Sequence, residues 1–308
     1  MESTSIYLND KNLSVLPEFI LRSDFLIKLS LNENKLSTLP DGIGLLVKLQ
    51  ELSLYRNQLT ELPESICKLN NLEILNIGDN SLVSIPENIG ELGNVKMLDL
   101  GHNRLTALPS SFNKLVNLEF LYLSNNQFHD LPDIFSSYSK LVYLNISDNY
   151  LSRLPNSFPR LVSLTECRMY NNRFTILPDF FSDLISLKEL HLQNNQLESL
   201  PDSIGYLENL KTLVVRNNRL SFLPPTISKL ANLHYLDLRN NQLFSLPAII
   251  DHLQNLRTLD LRGNRLTELP PEIVNLISLE KLDLRWNQLQ CFPRWLSTLE
   301  ERGCIVYK

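Results

Sequence analysis

A repeat of 23 residues runs along the sequence and limits what the chain can fold into. A proline preceded by leucine, isoleucine or phenylalanine recurs at positions 17, 40, 63, 86, 109, 132, 155, 178, 201, 224, 247, 270 and 293. An asparagine stands six residues before each of these prolines except the first, where Lys11 takes its place. The asparagines are Asn34, Asn57, Asn80, Asn103, Asn126, Asn149, Asn172, Asn195, Asn218, Asn241, Asn264 and Asn287. A fixed period of this length indicates a repeat architecture.

Each repeat contains a short strand, a polar turn and a short helical segment. Leu29, Ser30 and Leu31 alternate apolar and polar side chains, which places the two leucines on one face of a strand. The asparagine amide that follows offers donors and an acceptor to backbone groups buried in the turn. Pro40 fixes φ and ends this segment. Apolar residues spaced by three, starting at Ile43, then predict a short helical or 3-10 turn.

One repeat cannot enclose its own leucines, so neighbouring repeats must cover them. We therefore expect a single domain over residues 1–308, with about thirteen repeats over residues 6–300. Residues 294–308 differ from the repeats and are predicted to form a C-terminal cap, with a final helical turn and a closing strand. Four consecutive repeats replace the isoleucine after the proline with phenylalanine, which predicts a stacked aromatic column. These residues are Phe112, Phe135, Phe158 and Phe181.

The repeat pattern L-x-L-x-x-N-x-L-x-x-L-P-x-x-I, seen for example from Leu98 to Leu105, resembles the intracellular leucine-rich-repeat family. The resemblance implies an α/β solenoid, a horseshoe with a parallel concave β-sheet and short helical or 3-10 turns on the convex side. It also implies a non-enzymatic scaffold or adaptor for a protein partner. Similar repeats occur in Ras-pathway scaffolds, which suggests a partner from a small-GTPase pathway, and in bacterial effectors that act in the cytoplasm of a host cell.

Composition excludes several other classes of function. The net charge of -5 and the pI of about 5.6 argue against nucleic acid as a partner. The sequence has no apolar run long enough for membrane insertion, and its first residues lack a basic flank and an apolar run, so we expect no secretory leader. The four cysteines are widely spaced, which favours a reducing compartment and predicts a cytoplasmic protein. They are Cys67, Cys167, Cys291 and Cys304.

Sequence motifs for catalysis are missing as well. The sequence has no glycine loop for phosphate, no cluster of metal ligands in sequence and no nucleophile elbow. Its five histidines fall at different positions of the repeat. We therefore expect no enzymatic activity, no catalytic residues, no metal site and no cofactor.

Recognition is expected on the strand residues that face away from the leucines. In repeats 6 to 9 these positions carry aromatic side chains and an arginine, residue types that protein interfaces favour. The candidate protein-binding residues here are Phe120, Tyr122, Tyr143, Arg168, Tyr170 and His191, with Tyr150 beside them. The alternative is that they are ordinary exposed apolar residues without a shared function.

Toward the C-terminus, arginine occupies the position two residues before the asparagine in four successive repeats. These residues are Arg216, Arg239, Arg262 and Arg285. Two residues before the last three arginines stand Asp237, Asp260 and Asp283. The arginines either pair with these aspartates or bind an acidic segment of a partner protein. Trp286 is a candidate aromatic anchor beside them.

Two other classes of function compete with a protein-binding scaffold. A small-molecule or phosphate sensor would use the arginines, although an open sheet offers a shallow surface rather than an enclosing pocket. A self-associating solenoid would use its exposed N-terminal edge. We expect a monomer that binds another protein.

Overall fold

The computed structural model describes residues 4–308, whose contacts group them into two compact units. The first unit contains the described residues up to Leu151 together with Pro155–Leu161. The second unit contains Ser152–Leu154 and Val162–Lys308. Each repeat contributes one strand of three residues to its unit.

The first unit contains seven of the described strands. They are β1 (Ser5–Tyr7), β2 (Lys28–Ser30), β3 (Glu51–Ser53), β4 (Ile74–Asn76), β5 (Met97–Asp99), β6 (Phe120–Tyr122) and β7 (Tyr143–Asn145). Each strand pairs in parallel with the next strand along the chain, and every residue faces its equivalent 23 positions later. Leu52, for example, lies opposite Leu75. The strand leucines therefore stack on the same side of the sheet.

The second unit repeats this arrangement. Its strands are β8 (Glu166–Arg168), β9 (Glu189–His191), β10 (Thr212–Val214), β11 (Tyr235–Asp237), β12 (Thr258–Asp260), β13 (Lys281–Asp283) and β14 (Ile305–Tyr307). All of these pairings are parallel and follow sequence order. The last pairing shifts the spacing to 24 residues, since Leu282 lies opposite Val306.

Short 3-10 turns cover the core on the side away from the strands. Most begin directly after the repeat proline, whose extended conformation ends the preceding segment, as at Pro40 with φ of -72°. In the first unit they span Asp41–Leu45, Glu64–Lys68, Ile89–Glu91, Ser110–Lys114, Phe135–Ser137 and Phe158–Arg160. In the second they span Phe181–Asp183, Asp202–Tyr206, Pro225–Lys229, Ala248–His252 and Pro271–Asn275. The predicted solenoid with parallel strands and 3-10 turns is confirmed.

Two short α-helices complete the described elements, α1 (Glu18–Leu21) in the first repeat and α2 (Leu296–Glu301) after the last one. Helix α2 buries Leu296 and Leu299, and the following strand β14 closes the sheet with a hydrogen bond from the Leu284 amide to the Tyr307 carbonyl at 2.8 Å. Neither helix is long and apolar enough to cross a membrane, and the same holds for every other helical segment in residues 4–308.

The asparagine of each repeat joins its own turn to the repeat before it. The Asn126 amide donates to the carbonyl of Leu100 in the preceding repeat at 2.9 Å and to the carbonyl of Leu123 in its own turn at 3.2 Å. Its side-chain oxygen accepts a hydrogen bond from the Leu105 amide at 2.9 Å. The role expected for the asparagine, satisfying buried backbone groups, is confirmed and extends across the boundary between repeats.

The phenylalanine column includes an additional ring. Tyr138 occupies a position where most repeats have leucine, and it contacts Phe112 and Phe135 edge to face at centroid distances of 6.5 and 5.9 Å. Its hydroxyl donates to the Phe112 carbonyl at 2.8 Å. Phe135 in turn packs edge to face on Phe158 at 5.5 Å. In the second unit, Phe181 stacks on Phe180.

The residue before each repeat asparagine adopts a left-handed conformation, with φ between 51° and 65°. Asparagine, aspartate and glycine tolerate this conformation best, and they occupy eight of these twelve positions. These residues are Asp79, Asn125, Asp148, Asn171, Asn194, Asn217, Asn240 and Gly263. Trp286, with φ of 60°, is the bulkiest residue that the described chain places there.

Candidate functional site

The strand residues on either side of each buried leucine form the open face of the sheet. In the first unit this face carries Phe120, Tyr122 and Tyr143. Phe120 is exposed and lies opposite Tyr143, while the rings of Tyr122 and Tyr143 are 4.8 Å apart. Nearby, the exposed Tyr150 lies 5.1 Å from the ring of His129. The structure thus brings the rings of Tyr122 and Tyr143 into contact and places Phe120 beside Tyr143, whereas Tyr150 contacts His129.

In the second unit, Arg168, Tyr170 and His191 are half-buried on the open face. The Arg168 Nε donates to Glu166 Oε1 at 2.6 Å, and the His191 Nε2 lies 3.3 Å from Glu189 Oε2. The two glutamates were not among the candidate residues predicted from the sequence. The two glutamates are 23 residues apart and so occupy the same position in successive repeats. That spacing in the sequence could have predicted that they lie side by side.

Glu166, Glu189 and His191 also form a possible metal-binding group. One ligand atom from each lies within 4.8 Å of the other two. No sequence motif predicted this group, because its members come from two different repeats.

The aspartates beside the arginines are buried. Asp237, Asp260 and Asp283 are only 1%, 3% and 0% exposed, although their positions belong to the open face. Each accepts a two-point hydrogen bond from the arginine two residues later. The Nε and Nη2 distances are 2.9 and 2.7 Å for Arg239, 3.1 and 2.9 Å for Arg262, and 3.0 and 2.6 Å for Arg285.

Arginines also reach the aspartate of the next strand. The Arg239 Nε lies 3.4 Å from Asp260 Oδ2, and the Arg262 Nε lies 3.2 Å from Asp283 Oδ2. These contacts link β11, β12 and β13 into a continuous network of charges. We call it the arginine–aspartate lattice, comprising Arg216, Asp237, Arg239, Asp260, Arg262, Asp283 and Arg285.

Arg216 stands at the end of this lattice and is bound less tightly than the other arginines. Its own strand has Val214 where the later strands have aspartate. Its Nη1 lies 3.9 Å from Asp237 Oδ2, and its buried Nε has no hydrogen-bond partner among the described residues. Four arginines against three aspartates give the lattice a net charge of +1.

Pairing with the aspartates uses most of the donors that a bound anion would need. A phosphate would have to compete with buried carboxylates that already hold the guanidinium groups in two-point geometry. These arginines therefore retain few free donors for a phosphate, which argues against a phosphate-sensing surface here.

The lattice shifts the titration of its members. Hydrogen bonds from Arg239 to Asp237 raise the pKa of the Arg239 guanidinium. Burial alone would raise the pKa of Asp283, but hydrogen bonds from Arg285 and the charges of Arg262 and Arg285 outweigh it, so the pKa is lowered from 3.8. Both shifts favour the charged forms.

We expect Asp283 to contribute to the pH dependence of stability in acid. Because its pKa is lowered in the folded state, its contribution is complete above the ordinary value of 3.8 and is lost as pH falls through the lowered pKa. Urea unfolding between pH 5 and about 2 should therefore show a steeper loss of stability for the wild type than for D283N. Equal pH slopes would contradict the assignment.

A cluster of cations and aromatic rings lies next to the lattice. Trp286 is 73% exposed, with the Arg285 Cζ 5.9 Å from its ring centroid. The same Cζ lies 4.7 Å from the ring of Tyr307, and the Lys281 Nζ lies 5.4 Å from that ring. Tyr307 was not selected from the sequence. Its place opposite Asp283 depends on the 24-residue shift at the last strand.

Comparisons with known proteins agree with this geometry. The family model described as "Leucine rich repeat" matches residues 26–82, 70–128 and 185–243, and a second model of that name matches 140–161. A model described as "Leucine-rich repeat region" matches 227–301. A search of curated proteins found no match.

Several solved structures are similar. A leucine-rich-repeat protein of Leptospira interrogans is 34% identical with a TM-score of 0.84, over 98% of this chain and 83% of that one. An internalin of Listeria monocytogenes is 22% identical with a TM-score of 0.84, over 99% and 86%. A chain of the Toll–Spatzle complex of Drosophila is 24% identical with a TM-score of 0.77, over 96% and 46%.

Proteins with this fold commonly mediate protein–protein interaction, and most such neighbours are binding scaffolds rather than catalysts. The family models together cover more than half of the sequence, and the Leptospira protein aligns with nearly all of it. The chain belongs to the leucine-rich-repeat family.

Proposed function

We propose that this chain is a non-enzymatic scaffold or adaptor that binds a partner protein on the open face of its second unit, with Trp286 as the anchor. The supporting observation is that Trp286 combines 73% exposure with a left-handed backbone, φ 60°. A large side chain is disfavoured in that conformation. All twelve residues before the repeat asparagines share this conformation, and Trp286 differs from the other eleven in the size of its exposed side chain.

The residue type suits this role. Tryptophan is enriched among the residues that dominate binding energy, because its large ring is buried at an interface with little loss of side-chain entropy. Tyr307, 37% exposed, extends the aromatic surface beside it. Arg285 lies between the two rings, within 5.9 Å of one and 4.7 Å of the other.

The arginine–aspartate lattice supplies a rigid, weakly positive surface beside Trp286. The side chains of its arginines are 20% to 39% exposed, so each presents an edge to solvent while its other side holds an aspartate. Arg219, Arg265 and the half-buried Lys281 add positive charge. This charge favours a partner with an acidic segment through steering rather than through affinity.

The role of Trp286 as the anchor can be tested with one substitution that should raise stability and weaken binding. We expect W286N to raise the free energy of unfolding by about 1 kcal/mol, because asparagine tolerates the left-handed conformation. The same variant should weaken partner binding by about 30-fold or more, the loss typical of an interface hot spot. Thermal melting measures the first effect. Affinity capture from lysate, followed by titration of the captured protein, measures the second.

Ile277 provides the matched control because it is 72% exposed and lies in the same unit, outside the strands. I277N should bind the partner as the wild type does. If W286N captures and binds the partner as strongly as I277N, Trp286 is not the anchor.

Within the second unit, the remaining candidate residues are proposed as secondary contacts of the same partner: Arg168, Tyr170, His191, Arg216, Arg239 and Arg262. Phe120, Tyr122 and Tyr143 are proposed as a separate protein-binding surface of the first unit. Ring contact between Tyr122 and Tyr143 supports that surface.

The proposal extends to the compartment and the oligomeric state of the chain. The four free cysteines suit a monomer working in the reducing cytoplasm, and three of them are buried. Identity of 34% to a protein of the bacterium Leptospira interrogans supports a bacterial effector acting in a host cell over a Ras-pathway scaffold with a small-GTPase partner.

A further inference from the structure

We infer that Glu166, Glu189 and His191 form a binding site for a divalent transition metal ion, zinc, on the open face of the second unit. Glu166 and Glu189 lie directly opposite each other on the paired strands β8 and β9. His191 is two residues along β9 from Glu189, so its side chain emerges on the same face. Three ligand residues therefore converge from a rigid two-strand platform.

The distances suit zinc with small side-chain adjustments. Tetrahedral zinc with Zn–N and Zn–O bonds of about 2.0 to 2.2 Å places its ligand atoms roughly 3.4 Å apart. The His191 Nε2 and Glu189 Oε2 are already 3.3 Å apart. The ligand atoms of all three residues lie within 4.8 Å of one another. Small rotations of the ligand side chains close the remaining gap.

Electrostatics also favours a cation at this place. Two carboxylates directly opposite each other on neighbouring strands repel. Arg168 compensates Glu166 through the 2.6 Å contact. On its other side, Glu189 faces the uncharged Thr212. A divalent ion between the glutamates would remove the repulsion.

The surroundings resemble those of a functional metal site. Arg168 holds Oε1 of Glu166 and leaves Oε2 for the ion, as hydrogen-bonded partners of metal ligands commonly do. The side chains of Glu166 and His191 are 23% and 18% exposed, and that of Glu189 is 47% exposed. Three protein ligands leave the fourth zinc position open toward solvent. A mixture of imidazole and carboxylate ligands favours zinc over calcium or magnesium.

The test measures zinc binding by the 308-residue chain without any partner, so it is independent of the proposed function. Isothermal titration with zinc chloride should show one equivalent bound by the wild type. H191A and E189Q should each weaken binding by about 100-fold, and cobalt(II) should give a tetrahedral absorption band that both substitutions remove.

Matched controls come from the same unit. H234A removes a histidine whose Nδ1 lies near the Asn232 carbonyl, and E280Q removes an exposed carboxylate. Both should bind zinc as the wild type does, and circular dichroism should show that all four variants are folded. Absence of a bound equivalent in the wild type would overturn the inference. Unchanged binding in H191A and E189Q would overturn it too, as would equal losses in the two controls.

Discussion

Replacing Arg262 with methionine is expected to lower the free energy of unfolding by about 3 to 5 kcal/mol, the cost of removing one partner from a buried ion pair. Arg262 holds Asp260 through two hydrogen bonds and also reaches Asp283, at 3.2 Å. Both carboxylates are almost completely buried. Without the guanidinium, two buried negative charges lose a partner while the apolar part of the side chain is kept. Urea unfolding at neutral pH measures the effect.

An exposed ion pair in the same unit provides the control. Arg257 lies 3.6 Å from Glu280, with side chains 59% and 68% exposed. R257M should cost less than about 1 kcal/mol because solvent screens such pairs. Adding D260N to R262M should recover part of the loss, since it removes one of the buried charges. If R262M costs no more than R257M, the lattice does not stabilise the fold.

The lattice also limits how the arginines can be tested for binding. Reversing all four charges would place new carboxylates against the buried aspartates and unfold the unit. Loss of binding in such a variant would report misfolding rather than lost contacts. Trp286 is the better probe because its side chain is 73% exposed and lies outside the lattice.

Replacing Asn149 with alanine is expected to cost about 1 to 3 kcal/mol, the penalty for leaving buried backbone groups without partners. Its amide donates to the carbonyls of Leu123 at 3.0 Å and Ser147 at 2.9 Å. Its oxygen accepts from the Phe128 amide at 3.1 Å. All of these groups lie away from water, so no solvent molecule replaces the asparagine. A shift in the thermal or urea midpoint measures the loss.

Asn94 allows a comparison at the surface. Its amide also crosses to the preceding repeat, but through one exposed hydrogen bond to the Asn70 carbonyl at 2.7 Å. N94A should therefore change stability by less than N149A, because water can replace that contact. Equal costs for the two substitutions would show that burial does not set the contribution of the repeat asparagines.

Much of the fold could be predicted because each feature of the 23-residue repeat has a known structural role. Strand alternation, the asparagine turn and the proline before the 3-10 turn recur so regularly that register follows from numbering, as for Leu52 and Leu75. The exception to the 23-residue spacing could not be predicted from the sequence. The 24-residue shift that sets Tyr307 opposite Asp283 depends on the length of the turn after α2, which no repeat specifies.

The candidate site was harder to predict because burial of the open-face residues does not follow from their position. Asp283 is fully buried, whereas Tyr122, at the equivalent position of β6, is half-buried. Neighbouring arginines determine that difference, because their side chains cover the aspartate. The sequence pattern does not show where those arginine side chains lie. The conformation of Trp286 was also missed, since the motif marks the asparagine and not the residue before it.

The contacts of Arg262 and Arg239 with the next strand have a consequence for how the second unit opens. Separating β12 from β13 would remove the contact between Arg262 and the buried Asp283. Separating β11 from β12 would likewise remove the contact between Arg239 and the buried Asp260. Stepwise fraying from the C-terminal end, the usual behaviour of a stack of nearest-neighbour repeats, is therefore penalised here. The last repeats should exchange their amide hydrogens as one cooperative block.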